Sequence, residues 1–182
     1  TQQRCHDDLR SFVLALLSVS ERAFRRAEEV EGRGYYFDFL EFARNHTKNN
    51  TPSTPSISLL QGLDAMVASI LKEGLPDRYQ RHAENNALVH QWVEERGFAH
   101  FAPEGYRSRT LTAVANNLKI DVPAFVTAVR EKHNFLINGG YGKIKGGTFR
   151  LSNMGNETPE SMKELLAALD DADMVVGSRF GS

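Results

Sequence analysis

Gly139-Gly-Tyr-Gly-Lys-Ile-Lys-Gly-Gly-Thr-Phe-Arg-Leu-Ser152 is the stretch on which the fold turns. Five of the nine residues from Gly139 to Gly147 are glycine, which eases a reversal of the chain. Thr148 to Ser152 then alternates as a strand does. Phe135-Leu-Ile137, just upstream, is a short apolar run with strand character. Two strands joined by a glycine-rich link predict a hairpin and hence an antiparallel pair. The link has neither the spacing of a phosphate-binding loop nor that of a dinucleotide fingerprint.

Working outward, Arg109-Thr-Leu-Thr-Ala-Val114 alternates and is rich in β-branched residues, which predicts another strand. Asp121 and Pro123 open a helix with Phe125, Val126 and Val129 on its buried side. Thr158 and Pro159 open a last helix carrying Met162, Leu165, Leu166 and Leu169 at helical spacing. The second half therefore reads β-α-β-β-α. The helix between two strands favours a parallel or mixed arrangement, and the glycine-rich link favours an antiparallel one. The expected fold is α+β, with helices on one face of a three- to four-stranded, mostly antiparallel sheet. Beyond Asp170 the acidic run and the Gly-Ser ending read as a loose tail over 171–182.

Toward the N-terminus, Asn50-Thr-Pro-Ser-Thr-Pro-Ser56 is a proline-stiffened turn leading into a helix from Pro55 to Lys72. Thr54 would cap it, and Thr51, Ser53, Thr54 and Ser56 would form a polar cup suited to an anion. A plainly capped helix that holds nothing is the alternative. Leu60, Leu63, Val67 and Ile70 form its apolar stripe. A second helix starting at Asp77 and stopped by Gly97 would pair with it in antiparallel fashion. Ser20 caps a shorter helix bearing Ala23, Phe24, Ala27 and Val30, and Val13 to Ser20 has strand character. Tyr35-Tyr-Phe-Asp-Phe-Leu-Glu-Phe42 holds five aromatics in eight residues. Such a cluster is core or subunit contact rather than a base-stacking platform, because no basic residues are interleaved.

Composition bounds the function. Across 182 residues the net charge is −1 with both signs interspersed, which favours neither nucleic acid nor a membrane surface. The longest apolar run, Phe12 to Leu17, falls far short of the roughly 18 residues of a membrane span. One cysteine, Cys5, excludes a disulfide framework within the chain. That usage and the lack of a signal make the cytoplasm the expected location. The six histidines show no metal-ligand spacing. Arg150 stands apart: between Phe149 and Leu151 it should project from the opposite sheet face. A guanidinium on a rigid strand suits a carboxylate partner; the alternative is a solvent-facing salt bridge.

Asn49-Asn-Thr-Pro-Ser-Thr-Pro-Ser-Ile-Ser-Leu-Leu60 and Phe149-Arg-Leu-Ser-Asn-Met-Gly155 together resemble class V aminotransferases. These are the pyridoxal-phosphate enzymes of the serine–pyruvate, alanine–glyoxylate and phosphoserine aminotransferase group. Ser18-Val-Ser-Glu-Arg-Ala23, Gly34-Tyr-Tyr-Phe-Asp38, Glu73-Gly-Leu-Pro-Asp-Arg-Tyr-Gln-Arg-His82 and Asn138-Gly-Gly-Tyr-Gly142 add to the likeness, in matching order from about residue 18 to 170. The resemblance implies the C-terminal, small-domain portion of a homodimeric enzyme. Asn50 and Thr51 would reach the partner subunit's cofactor phosphate, and Arg150 would bind the substrate carboxylate.

The resemblance also implies a Schiff-base lysine just before the Ser-Val-Ser-Glu segment. Here Gln3-Arg4-Cys5 is the nearest text, and Arg4 stands in the lysine's place. An arginine stays protonated and forms no imine. Residues 1–17 thus read as a divergent remnant of the large domain or an extension foreign to the family. Residues 18–54 would be the linker and dimer-interface segment of the large domain, and 55–170 the small domain. The implied activity moves an amino group from a small amino acid, of alanine or serine type, to a 2-oxo acid such as glyoxylate or pyruvate. The chain alone is expected to be inactive. The alternative is a non-catalytic α+β domain that binds a carboxylate or another subunit.

Overall fold

The computed structural model describes residues 17–34 and 36–176. The elements in chain order are α1 (Glu21–Glu28), α2 (Phe39–His46), α3 (Ile57–Glu73) and α4 (Leu75–Glu95), then β1 (Ala99–His100) and β2 (Leu111–Ala115). They continue with α5 (Val122–His133), β3 (Asn138–Gly139) and, after a single 3₁₀ turn at Gly142–Ile144, β4 (Thr148–Ser152) and α6 (Pro159–Val176). Two compact units divide the described residues, one ending at Ser69 and the other beginning at Ile70.

The unit from Ile70 holds a four-stranded sheet in the order β1-β2-β4-β3, every neighbouring pair antiparallel. β2 and β3 run the same way with β4 between them, so the helix joining them returns the chain without making a parallel ladder. Alternation sorts the side chains. Val114 opposite Phe149, and Thr112 opposite Leu151, face the helices and are buried; Ala113 lies opposite Arg150 on the other face. α4, α5 and α6 close the core over Val114, Phe149 and Leu151 with Val89, Val93, Phe125, Val129, Leu165 and Leu169. Phe149 meets Phe98 and Phe125 edge-on, with ring centroids 5.3 and 5.5 Å away. The strand behind Arg150 is thereby fixed by close packing rather than by its short ladder.

Local chemistry sets the helix ends. Asp121 accepts the Ala124 N–H to start α5, and Asn134, at φ 56°, ends it in the left-handed region. Thr158 and Ser161 cap each other at the start of α6. α6 runs on past Asp170 instead of loosening there. Its acidic run is held: Asp170 accepts from Trp92 and Arg96, and Asp171 pairs with Lys132 and His133. The third strand is also displaced. Ile137 is buried in the core, and Asn138 and Gly139 make the ladder to β4 in place of Phe135 to Ile137.

In the other unit, α1 and α2 are tied by Arg33, which donates to the Ala27 and Val30 carbonyls and to Asp38 at 3.0 Å. Asp38 caps α2 by accepting the Leu40 N–H. Burial pushes its carboxyl up, but the Leu40 N–H and Arg33 outweigh that and hold it below the usual range. The aromatic run is thus half helix, and Phe39 and Phe42 sit on α2. Tyr35 lies outside the described residues, as do Arg4, Cys5, Val13 to Leu16 and 177–182; Leu17 to Ser20 are not in a strand. α3 begins at Ile57, beyond the expected Pro55, with the Leu60 N–H on the Ser56 carbonyl. α3 has no buried residue, and α4 turns its buried residues toward α6 and β2. No described helix is long and apolar enough to cross a membrane.

Candidate functional site

Arg150 occupies the centre of β4, flanked in register by Ala113 on β2 and Asn138 on β3. Phe149 and Leu151, its neighbours in sequence, are completely buried on the helix side, so its side chain leaves from the other face, as alternation requires. The guanidinium carbon lies 4.3 Å from the centroid of the Tyr141 ring. Among the described residues no carboxylate pairs with Arg150, and its buried Nε donates to none of them. A half-buried guanidinium with no acidic partner among the described residues is a standing demand for an anion, and a carboxylate meets it with charge-assisted hydrogen bonds.

Beyond β4 the chain is anchored on both sides. Asn153 donates from Nδ2 to the carbonyls of His82 and Arg109, and its N–H bonds the Thr110 carbonyl. Arg81 donates to the carbonyls of Gly155 and Glu157, and Arg78 also reaches Gly155. Glu73 takes both arginines, and these, led by Arg81, bring its carboxyl down to about 2 against the pull of burial. Residues 73–82 carry part of the family likeness in their sequence. Their part here, holding the turn that follows the arginine strand, is not visible in spacing.

Asn50 and Thr51 belong to the unit ending at Ser69. Both are exposed; the Asn50 N–H bonds the Asn45 carbonyl, and the Thr51 hydroxyl donates to the Ser53 carbonyl at 2.8 Å. With the Thr51 hydroxyl hydrogen already given to Ser53, the Asn50 side-chain amide is a neutral donor suited to the edge of a phosphate. Arg4 lies outside the described residues.

Two further groups come together only in the folded chain. Tyr141 lies within the glycine-eased link, and its ring reaches Arg150 on β4. His90 and His100 show no grouping in the sequence, yet their rings meet edge-on with centroids 4.5 Å apart. Burial lowers the pKa of both; His100 and Arg107 add to this at His90, and Arg107 at His100, while Glu94 opposes it. Among the described residues no cluster of three or more His, Cys, Asp or Glu side chains is arranged to hold a metal.

The α+β fold belongs to a known class: in sequence and structure the chain belongs with the class V aminotransferases. It is 31% identical, over 78% of its length, to an uncharacterized aminotransferase of Methanocaldococcus jannaschii. It is 29% identical, over 88% of its length, to a serine–glyoxylate aminotransferase of Methylorubrum extorquens. The crystal structure of a pyridoxamine–pyruvate aminotransferase from Mesorhizobium loti superposes on 90% of the chain with a TM-score of 0.79 at 26% identity. The chain spans about two fifths of the length of these proteins (37%, 41% and 43%). No protein-family model matches the sequence.

Proposed function

We propose that the protein is part of a pyridoxal-phosphate-dependent aminotransferase and that this chain supplies its substrate-carboxylate clamp. The amino group would pass from a small amino acid of alanine or serine type to a 2-oxo acid such as glyoxylate or pyruvate. The observation that carries the reading is Arg150: a half-buried guanidinium on a rigid strand, with no acidic partner among the described residues. Every amino acid and 2-oxo acid in such a reaction carries a carboxylate, so one arginine serves both halves of the exchange. By holding that carboxylate it fixes the orientation of the reacting carbon, which is where binding energy lowers the barrier.

The cofactor's phosphate edge would fall to Asn50, through its side-chain amide, and to Thr51, whose hydroxyl would turn to it from the Ser53 carbonyl. When bound, pyridoxal phosphate supplies the electron sink for the bonds at Cα. The lysine that would carry it has no counterpart at Arg4, so the chain alone is inactive. Residues 18–54 then serve as linker and dimer-interface segment, and 55–170 as the small domain. The exposed Tyr36 and Phe37 and the unburied stripe of α3 support a homodimeric partner for that interface. The cytoplasm is the location assigned, on the lone cysteine.

Isothermal titration of the chain with pyruvate tests the clamp. Binding in the wild type that disappears in Arg150→Ala is the expected result, and binding that survives this substitution removes the reading. Alanine–glyoxylate turnover by the chain with added pyridoxal phosphate would contradict its inactivity. The non-catalytic reading, a carboxylate-binding or subunit-contact domain, is favoured by Arg4 in the lysine's place and predicts the same binding.

A further inference from the structure

We propose that Tyr141 positions the Arg150 guanidinium and sets which carboxylates it accepts. This rests on the reading of Arg150 as a carboxylate clamp. The Tyr141 ring lies over the guanidinium carbon at 4.3 Å, so one face of the planar cation is closed. The Nε atom is buried and has no partner among the described residues, which closes the side-on approach that would pair Nε with a terminal nitrogen. A carboxylate is then left the end-on approach to the two terminal nitrogens. A carboxylate arriving there lies in the guanidinium plane and beneath the edge of the phenol ring.

Tyr141 is placed by the backbone rather than by its own burial. It is 69% exposed, so the core does not hold it. Gly140 crosses β4 so closely that a Cβ on it would collide with the Ile144 carbonyl oxygen and with Thr148 Oγ1. The Gly140 N–H bonds the Thr148 carbonyl at 2.8 Å, and the Ile144 N–H bonds the Tyr141 carbonyl. Asn116 pins the far end of the loop by donating to the Gly146 carbonyl. These bonds fix the backbone on either side of Tyr141 and leave its ring over Arg150. The stack holds the long arginine side chain in one rotamer before any ligand arrives, which spares the ordering cost on binding. It also denies the covered face to ligands that would bind by lying flat on the guanidinium, such as aromatic 2-oxo acids. The selected class is the small, short-chain carboxylate.

The test uses the full chain, with pyruvate and phenylpyruvate as probes and the Arg150 Nε–H resonance as an independent reporter. In the wild type the Tyr141 ring current displaces that resonance. Tyr141→Phe keeps the displacement and binds pyruvate within about twofold of the wild type. Tyr141→Leu loses the displacement, binds pyruvate about two- to fivefold more weakly, and gains in preference for phenylpyruvate over pyruvate. The exposure of Tyr141 makes both variants safe for folding. Pyruvate bound as tightly by Tyr141→Leu as by the wild type overturns the proposal and leaves the role of Arg150 intact. Pyruvate bound equally by the wild type and Arg150→Ala, or not at all by the wild type, overturns the clamp itself and the proposal with it.

Discussion

Both carboxylate oxygens of Glu73 are held by Arg81, which donates from Nε to Oε1 at 2.6 Å and from Nη2 to Oε2 at 3.0 Å. The same guanidinium donates to the Glu157 carbonyl, so one ion pair joins the last residue of α3 to the turn before α6. Glu73 is thereby drawn from 4.5 down to about 2. A carboxyl depressed in the folded state adds stability above its ordinary value, and that stability drains as the pH falls toward the folded value. Glu73→Gln removes the contribution. Urea unfolding of wild type and variant should differ most above about pH 4.5 and converge toward about pH 2. A constant gap across that window would show that the ion pair is not the source.

How far the sequence foretold this arrangement depends on whether the signal was local. β4 lies where its alternation put it, and α5 and α6 start at the capping residues Asp121 and Thr158. α2 was hidden because Phe39 and Phe42 belong to an aromatic run whose period is masked by Tyr36 and Phe37, and the cap at Asp38 is legible only once the helix is known. β1 is two residues long, too short for any alternation to show. Arg150 was legible as an outward-facing cation. The Tyr141 ring over it was not, since the loop path depends on the absent Cβ of Gly140 and on bonds to Thr148 and Asn116.

Gly140→Ala should be costly although its backbone needs no left-handed conformation. The added methyl meets the Ile144 carbonyl oxygen and Thr148 Oγ1, and the loop must lift from β4 to admit it. Overpacking of this kind costs about 1–3 kcal/mol. Denaturant unfolding should show a loss in that range, with the Arg150 Nε–H resonance moving toward its position in Tyr141→Leu. A variant as stable as the wild type with an unmoved resonance would mean that the loop path is not set by this glycine.

Phe149→Leu and Phe149→Ala probe the wall behind Arg150. The ring is fully buried and meets Phe98 and Phe125 edge-on. Truncation to alanine should cost roughly 3–5 kcal/mol, and leucine distinctly less because it refills part of the volume. Urea midpoints rank the three proteins. An alanine variant within about 1 kcal/mol of the wild type would contradict the close packing assigned to this site.

The His90–His100 pair predicts a second dependence on pH, in a different window. Burial is the main cause that lowers both imidazoles below the ordinary value of 6.5; Arg107 works in the same direction, and Glu94, with its Oε1 3.6 Å from His100 Nε2, works against it. A base depressed on folding binds its proton first in the unfolded chain. Stability is then complete above about pH 6.5 and declines as the pH falls from there toward the folded values. The edge-on ring contact sharpens the decline, because protonating one imidazole places a charge 4.5 Å from the other ring. Replacing both histidines with phenylalanine keeps aromatic rings in the two sites and removes both titrations. Urea midpoints measured between about pH 8 and pH 5.5 should fall for the wild type and stay level for the double variant, apart from the slope common to both. Parallel curves would show that neither histidine is held neutral by the fold.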